Sequence, residues 1–594
     1  MDLLIRIAGE AGQGVQTTGN LLVSALAEMG LHVFAIQSYL SRIRGGLNWF
    51  DVRIGDAPLY AGREQADVLV ALTDQALATL RPHVTDGGAA LFDADPDADD
   101  TKASEGCLCI PLTDIAKETG GSAVMANAVA AGAVFGLLGY DLSALTDYFA
   151  TAFKKKGKET IEANVRCAQA GADRIGEAAG SLDAPQPSGQ AVSVGNGTEG
   201  VGLAAAAAGV KFVTAYPMTP ATGVLTYLAG VADDYGIVVE QAEDEIAAVN
   251  MVCGATYAGV PAMTTTSGGG FALMAEGLSL AGMMELPAVV LLAQRPGPAT
   301  GLPTRTGQED LAFALHAGHG EFPRALFAPG TPAQAYELTR RALKTAHRFQ
   351  TPVIVLIDQF LADVQKNTQP LDRSLRPIDR HVVLDPAPDY VRYAVTGDGV
   401  SPRALPGSGP FVVCDSDEHT EDGHITEDLG VRVRLQDKRL AKVKGMTAEA
   451  LPPEVYGPTD PGARGDECPA RPESLPRANS TRPPQPPGAA GAETLLVAWG
   501  STYGPCREAV DILAAEGRSV ALVHFAQVWP LDAGAVRPLL TGAGAKRVIS
   551  VEGNSTGQFA SILRGAGAID TCDRLLRYDG MPLTGEWIAE RILR

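Results

Sequence analysis

Five short apolar runs punctuate residues 193–365: Lys211–Ala215, Ile237–Glu240, Ala262–Thr266, Ala288–Ala293 and Val353–Ile357. Most show no polar alternation, so both faces of such a strand are buried. A parallel sheet covered by helices provides that environment. The intervening stretches have helical spacing, as in Thr198–Ala208, which stops at Gly209, and in Gly223–Ala232 and Asp244–Tyr257. This rhythm predicts a doubly wound α/β domain, whose ligands bind where the strands end.

The same rhythm opens and closes the chain. Strands are expected at Leu3–Ile7, His32–Ile36, Leu47–Ile54, Asp67–Leu72 and Ala89–Phe92, with a helix over Thr17–Met29. Near the end, Thr494–Ala498, Val520–Phe525 and Arg547–Glu552 read as strands and Cys506–Glu516 as a helix. The expected organisation is a domain over 1–180, a linker over 181–192, a domain over 193–365, a connecting segment over 366–457, a Pro-rich linker over 458–492 and an α/β domain over 493–594. A chain of 594 residues needs several cores of this kind.

Composition excludes several functions. The net charge of −21 argues against a nucleic-acid or anionic-membrane binder. No run approaches the roughly 18 apolar residues of a membrane span. The start, Met-Asp-Leu-Leu-Ile-Arg, has no basic region before a long apolar one, so a cytoplasmic protein is expected. The eight cysteines include no C-x₂-C, so this chain is expected to hold neither a ferredoxin-type cluster nor any other metal.

Four places carry chemistry. Gly9, Gly12 and Gly14 form a turn between strand and helix that suits a tight junction, a phosphate or coenzyme A contact, or a subunit contact; Arg42 and Arg44 follow as possible anion partners. The spacing reverses the dinucleotide fingerprint, and no acidic residue ends the next strand, which leaves NAD binding as a poor match. Tyr216-Pro217-Met218-Thr219-Pro220 ends a strand, and its prolines hold the Thr219 hydroxyl in place. Glu243 and Asp244 suit a helix N-terminus by charge alone. Glu245 shares a stripe with Ala248, Val249 and Val252 on a helix that reads as apolar nearly all round, so burial makes it a candidate acid–base group. Arg295 ends a buried strand and needs an anion, from the protein or from a ligand, and Thr300, Thr304 and Arg305 follow on a Gly/Pro-rich loop. Gly397-Asp398-Gly399 resembles the start of a magnesium–diphosphate motif but lacks the Asn pair that completes it, and is read as a turn. His419 and His424 lie in an acidic stretch read as a solvated loop.

Together these motifs resemble the 2-oxoacid:ferredoxin oxidoreductases, specifically an α subunit with a γ domain fused at its front. The resemblance rests on Gly9–Gly14 with Ser38–Gly46, the Y-P-x-T-P turn at 216–220, the run from Glu240 to Gly254, the Gly268–Gly270 turn, the loop from Ala293 to Thr304, and Glu552-Gly-Asn-Ser-Thr-Gly-Gln558. It implies a thiamine-diphosphate pyrimidine-binding domain over 193–365 and a transketolase-C-like domain at the end.

It further implies that thiamine diphosphate rests on Tyr216, Pro217, Thr219, Glu245 and Gly269, with Glu245 as the catalytic group that bonds the aminopyrimidine N1′. Thr219, Arg295, Thr300 and Thr304 would bind the 2-oxoacid. Gly9, Gly12, Gly14 and Arg44 are the candidates on the coenzyme A side. The diphosphate, its Mg and a [4Fe-4S] cluster would be held by a β subunit, in an (αβ)₂ heterotetramer that reduces ferredoxin. The fused two-subunit organisation favours 2-oxoglutarate, oxidised to succinyl-CoA, over pyruvate or branched 2-oxoacids. A NAD-dependent dehydrogenase and a non-catalytic scaffold are the alternatives of other classes.

Overall fold

The computed structural model describes residues 1–40, 45–95, 106–457, 491–542 and 544–594. Arg42, Arg44 and the Pro-rich stretch 458–490 lie outside the described residues. The chain divides into two compact units.

The first unit comprises Met1–Gly195 with Asp363–Pro370 and Thr584–Glu590. Its sheet runs, edge to edge, through Leu108–Cys109, Val84–Phe92, Ala66–Ala71, Asp2–Ala11, Gly45–Gly55, His32–Ser38, Gln365–Asn367 and Val194–Gly195. Asp2–Ala11 is parallel to Ala66–Ala71 but antiparallel to Gly45–Gly55, which is in turn antiparallel to His32–Ser38. The unit is therefore a mixed sheet within the expected α/β class. The reason is length: the chain between Ser38 and Gly45 is too short for a crossover, which takes a dozen residues or more, so the strands can only return antiparallel. In a dinucleotide-binding unit the first two strands are neighbours, whereas here Gly45–Gly55 lies between Asp2–Ala11 and His32–Ser38.

Small residues set the packing of this unit. The helices Ala126–Leu138 and Lys158–Asp173 meet backbone to backbone. A Cβ on Gly132 would stand 1.9 Å from the Ala168 carbonyl oxygen, and one on Gly171 2.0 Å from that of Val129. No single helix among the described residues is long and apolar enough to cross a membrane.

The second unit holds two sheets over a shared core. Its larger sheet runs Gln527–Trp529, Ala325–Phe327, Val353–Asp358, Val289–Gln294, Ala262–Thr266, Phe212–Ala215 and Val238–Gln241. All of these are parallel except Gln527–Trp529, which pairs antiparallel with Ala325–Phe327. The smaller sheet runs Glu454–Tyr456, Val520–Phe525, Thr494–Trp499, Arg547–Glu552 and Asp573–Leu576, parallel but for its first strand. Leu326 and Ile354 of one sheet share a buried cluster with Trp499 and Phe525 of the other and with Phe559 of the helix Gln558–Gly565.

A helix over Leu429–Ala448 is absent from the sequence reading of the connecting segment. Its buried face is cationic: Lys438, Arg439 and Lys442 are all nearly inaccessible. Glu285 answers two of them, with its carboxylate 2.7 Å from Lys438 Nζ and 2.5 Å from Lys442 Nζ. Burial alone would raise the Glu285 pKa, but Lys442, Lys438 and Arg392 outweigh it and hold the carboxyl ionised. Glu418 pairs with Arg439 at 2.8 Å, and His419 is fully buried with its ring centroid 3.9 Å from that of Tyr393. The acidic stretch is thus docked at Glu418–His419 rather than solvated there.

Removing one partner of a buried ion cluster costs more than removing all of them. Glu285→Gln is expected to cost about 3–5 kcal/mol in urea denaturation. Glu285→Leu combined with Lys438→Met and Lys442→Met should recover most of that loss. His524 gives a pH signature. Its Nε2 lies 2.9 Å from the Gly500 carbonyl oxygen, and burial pushes its pKa down from 6.5 to about 4. The unfolded chain takes up this proton near pH 6.5 and the folded chain only near 4, so the stability involved is present above 6.5 and lost as pH falls towards 4. His524→Gln should flatten the fall of the urea midpoint across that window, by up to about 3 kcal/mol.

Candidate active site

The strands Phe212–Ala215, Ala262–Thr266 and Val289–Gln294 end on one edge of the larger sheet, and three segments emerge side by side: 216–220, 267–270 and 295–310. This is where open parallel sheets expose backbone groups to ligands.

Glu245 is the first residue of the helix Glu245–Tyr257, capped by Asp244, whose Oδ1 accepts the Ala247 N–H at 2.8 Å. Glu245 is 2% exposed, and Ala248, Val249 and Val252 on its stripe are fully buried. Thr266 Oγ1 donates to Glu245 Oε1 at 3.4 Å. Burial raises the carboxyl's pKa against the lowering effect of its hydrogen bonds. Glu243, two residues earlier, is exposed. The expectation of a helix buried all round needs correction: Ile246 is 47% and Met251 37% exposed, so the helix keeps one apolar face in the open.

The glycine turn is shaped around two carboxyls. A Cβ on Gly270 would fall 2.1 Å from Glu245 Oε1 and 2.2 Å from Thr266 Oγ1, and one on Gly268 2.6 Å from Asp310 Oδ2. Gly269 differs, being exposed with only the Ala299 carbonyl oxygen within 4 Å, at 3.9 Å.

Thr219 and Arg295, 76 positions apart, meet directly: Arg295 Nη1 donates to the Thr219 carbonyl oxygen at 2.6 Å. The Thr219–Pro220 peptide is cis. Tyr216 is 42% exposed and Pro217 partly buried. Thr300 is exposed and Thr304 half-buried, and among the described residues neither side chain bonds to the Arg295–Thr219 pair. Arg305 turns towards the C-terminal domain, with Nη1 3.9 Å from Met581 Sδ.

Asp310 was missed because an acid before a helix reads as a cap. Its Oδ2 is buried without a hydrogen-bond partner, and burial, with the charge of Glu309 adding and that of Arg295 opposing, pushes its pKa up to about 6. The Ser267 hydroxyl is likewise buried and unpartnered. A buried acid, two orphaned polar atoms and one open glycine fit a flat polar ring laid against this turn. The turn at 397–399 closes on itself, Asp398 Oδ1 accepting the Val400 N–H at 3.0 Å.

In the first unit, Gly14 caps the helix Val15–Glu28, and a Cβ there would fall 2.3 Å from Asn127 Oδ1. A Cβ on Gly9 would fall 2.7 Å from Gln13 Oε1, whereas one on Gly12 would meet open space. Gly9 and Gly14 serve the turn itself, and Gly12 is the member that faces outward. Arg44 lies outside the described residues.

Comparison with known proteins places these features in order along the chain. Residues 203–438 match the thiamine diphosphate-binding family of pyruvate flavodoxin/ferredoxin oxidoreductases. Residues 4–174 match the pyruvate ferredoxin/flavodoxin oxidoreductase family, and residues 488–565 the transketolase C-terminal domain. The α subunit of 2-oxoacid:ferredoxin oxidoreductase 2 from Aeropyrum pernix is 30% identical over 100% of this chain and 98% of its own. The Mycobacterium tuberculosis 2-oxoglutarate oxidoreductase subunit KorA is 29% identical over 96% of this chain and 88% of its own. The solved structure of 2-oxoglutarate:ferredoxin oxidoreductase from Magnetococcus marinus, with 2-oxoglutarate, coenzyme A and succinyl-CoA bound, aligns with a TM-score of 0.88 at 32% identity, covering 100% of this chain and 99% of that one.

Gly270→Ala must displace the Glu245 carboxyl and is expected to cost about 2 kcal/mol in urea denaturation, an overpacking cost. Gly269→Ala, with room for its methyl, should be neutral or stabilising by about 1 kcal/mol.

Proposed function

The chain belongs to the 2-oxoacid:ferredoxin oxidoreductase α subunits, and on that premise we propose that it catalyses, with a β subunit, the oxidative decarboxylation of 2-oxoglutarate. The reaction converts 2-oxoglutarate, coenzyme A and two oxidised ferredoxins to succinyl-CoA, CO₂, a proton and two reduced ferredoxins, or runs in reverse. The observation that carries the reading is Glu245, a carboxyl at 2% exposure beside an open glycine at the carboxyl edge of a parallel sheet. The preference for 2-oxoglutarate is supported by the full-length relatives named for that substrate.

When bound, thiamine diphosphate supplies the nucleophilic carbon and the electron sink that decarboxylation of a 2-oxoacid requires. Glu245 holds a proton towards the ring nitrogen N1′, and its burial favours the protonated form. The Tyr216–Pro220 turn, Thr219 above all, forms a wall of the site, and Gly269 lets the backbone approach. Arg295, anchored on the Thr219 carbonyl, keeps further guanidinium donors for the 2-oxoacid carboxylate. Thr300 and Thr304 line the approach. Gly12 and Arg44 are the candidates on the coenzyme A side.

The β subunit supplies the Mg–diphosphate site and the [4Fe-4S] cluster that passes electrons singly to ferredoxin. Support for a partner comes from the apolar rim of the site: Tyr216, Ile246, Leu273, Leu302 and Phe313 are 42%, 47%, 48%, 48% and 38% exposed. An (αβ)₂ heterotetramer in the cytoplasm completes the reading. The pyruvate-named families keep pyruvate and branched 2-oxoacids as the second reading.

The test is co-expression with the β subunit under anoxia, assaying CoA-dependent viologen reduction by 2-oxoglutarate and by pyruvate. Glu245→Gln should lower kcat at least about 100-fold, the lower end of the range for a lost acid–base group. Arg295→Ala should raise KM for the 2-oxoacid about tenfold or more, as loss of a charge-assisted hydrogen bond does. Turnover of Glu245→Gln at the wild-type rate would remove the mechanism, and preference for pyruvate would replace the substrate.

A further inference from the structure

The loop after Arg295 has two limbs with different support. Residues 297–302 are exposed, and this limb is braced mainly by its own chain, through Leu302 N–H to the Pro296 carbonyl at 3.0 Å and Arg305 N–H to that of Leu302 at 3.1 Å. The returning limb is gripped by the C-terminal domain. Gln308 is 2% exposed; its N–H donates to the Gly553 carbonyl at 2.7 Å, and its Oε1 accepts the Gly553 N–H at 2.8 Å. Its Nε2 donates to the Trp499 carbonyl at 3.0 Å, and its own carbonyl accepts from Asn554 Nδ2 at 3.1 Å. Gln558 spans the next step, donating to the Glu309 carbonyl at 2.6 Å and accepting the Ala312 N–H at 2.8 Å.

The grip is aimed from behind and passed forward. Glu552, fully buried, accepts from Asn554 Nδ2 at 2.9 Å and from the Phe559 and Ala560 N–H groups at 2.9 and 3.0 Å, which fixes the turn that carries Asn554 and Gln558. On the other side, the Glu309 carboxylate accepts the Gly297 N–H at 2.8 Å, two residues beyond Arg295. The base of the loop closes separately, with Asp310 N–H donating to Gln294 Oε1 at 3.1 Å. Nothing in the chemistry of Glu245 or Arg295 requires these amides. They hold the returning end of the loop, and the stretch 297–304 ahead of it carries exposed Thr300 and half-buried Thr304.

We propose that Gln308, Asn554 and Gln558 form a clamp through which the C-terminal domain sets the position of the 297–304 limb, and with it the preference for the 2-oxoacid side chain. The three act as positioning residues, through the loop rather than on the substrate. The first half stands on the hydrogen bonds alone; the second half rests on the 2-oxoacid reading given above.

Two measurements on the full chain, co-expressed with its β subunit, separate the halves. In Gln558→Ala and in Gln308→Ala, amide hydrogen exchange in 297–304 should quicken at least tenfold, while the helix Glu245–Tyr257 keeps its wild-type protection. The ratio of kcat/KM for 2-oxoglutarate to that for pyruvate should shift at least tenfold. Arg537→Ala, a surface change in the same domain, should alter neither. Unchanged exchange in both glutamine variants overturns the clamp. Faster exchange with an unchanged substrate ratio overturns its role in specificity. A wild-type complex that turns over no 2-oxoacid instead removes the functional reading, and the exchange result still decides the clamp.

Discussion

The site depends on one carboxyl being kept out of water. Glu245 opens an apolar helix, so its side chain has Ala248, Val249 and Val252 beneath it and a single hydroxyl, that of Thr266, to bond. That arrangement is possible only because position 270 has no side chain. A carboxyl in such a place holds its proton more tightly than one in water, and burial is the source of that shift. Asp310 repeats the arrangement at Gly268, so the glycine turn separates two acids of raised pKa while its middle residue stays open.

Elsewhere the second unit buries charge for a different purpose. Glu285 is as inaccessible as Glu245, yet it is held ionised because two lysines reach it. Here the charges fasten a helix of the connecting segment to the rest of the unit, where an apolar stripe would serve elsewhere. Burial alone therefore does not mark a catalytic acid; the decision lies with what the buried group faces. Glu285 faces ammonium groups, Glu552 faces amide donors, and Glu245 faces one hydroxyl and an open turn.

Much of the fold was legible from local pattern. Ala262–Thr266, Val520–Phe525 and Arg547–Glu552 were read to the residue, because short runs rich in β-branched and apolar residues near Gly or Pro have few other ways to fold. The Leu429–Ala448 helix was not, since its buried face carries lysine and arginine and gives no apolar stripe to read. The antiparallel return of Gly45–Gly55 was missed although the short connection before it was in plain view. In the site, Glu245 announced itself by its stripe, whereas Asp310 and Gln308 looked like ordinary loop and cap residues.

The sequence by itself determined the parallel α/β class of residues 193–365, the acid entering an apolar helix and the order of motifs that defines the family. These follow from spacing along the chain, which sterics and hydrophobic burial translate directly into strands, helices and faces. Only the tertiary structure decided that Arg295 anchors on the Thr219 carbonyl, that Gly270 rather than Gly269 makes room for Glu245, and that the C-terminal domain grips the loop at Gln308. Each of those joins residues far apart in the chain, and a hydrogen bond of about 3 Å between such groups exists only once packed cores have fixed both sides.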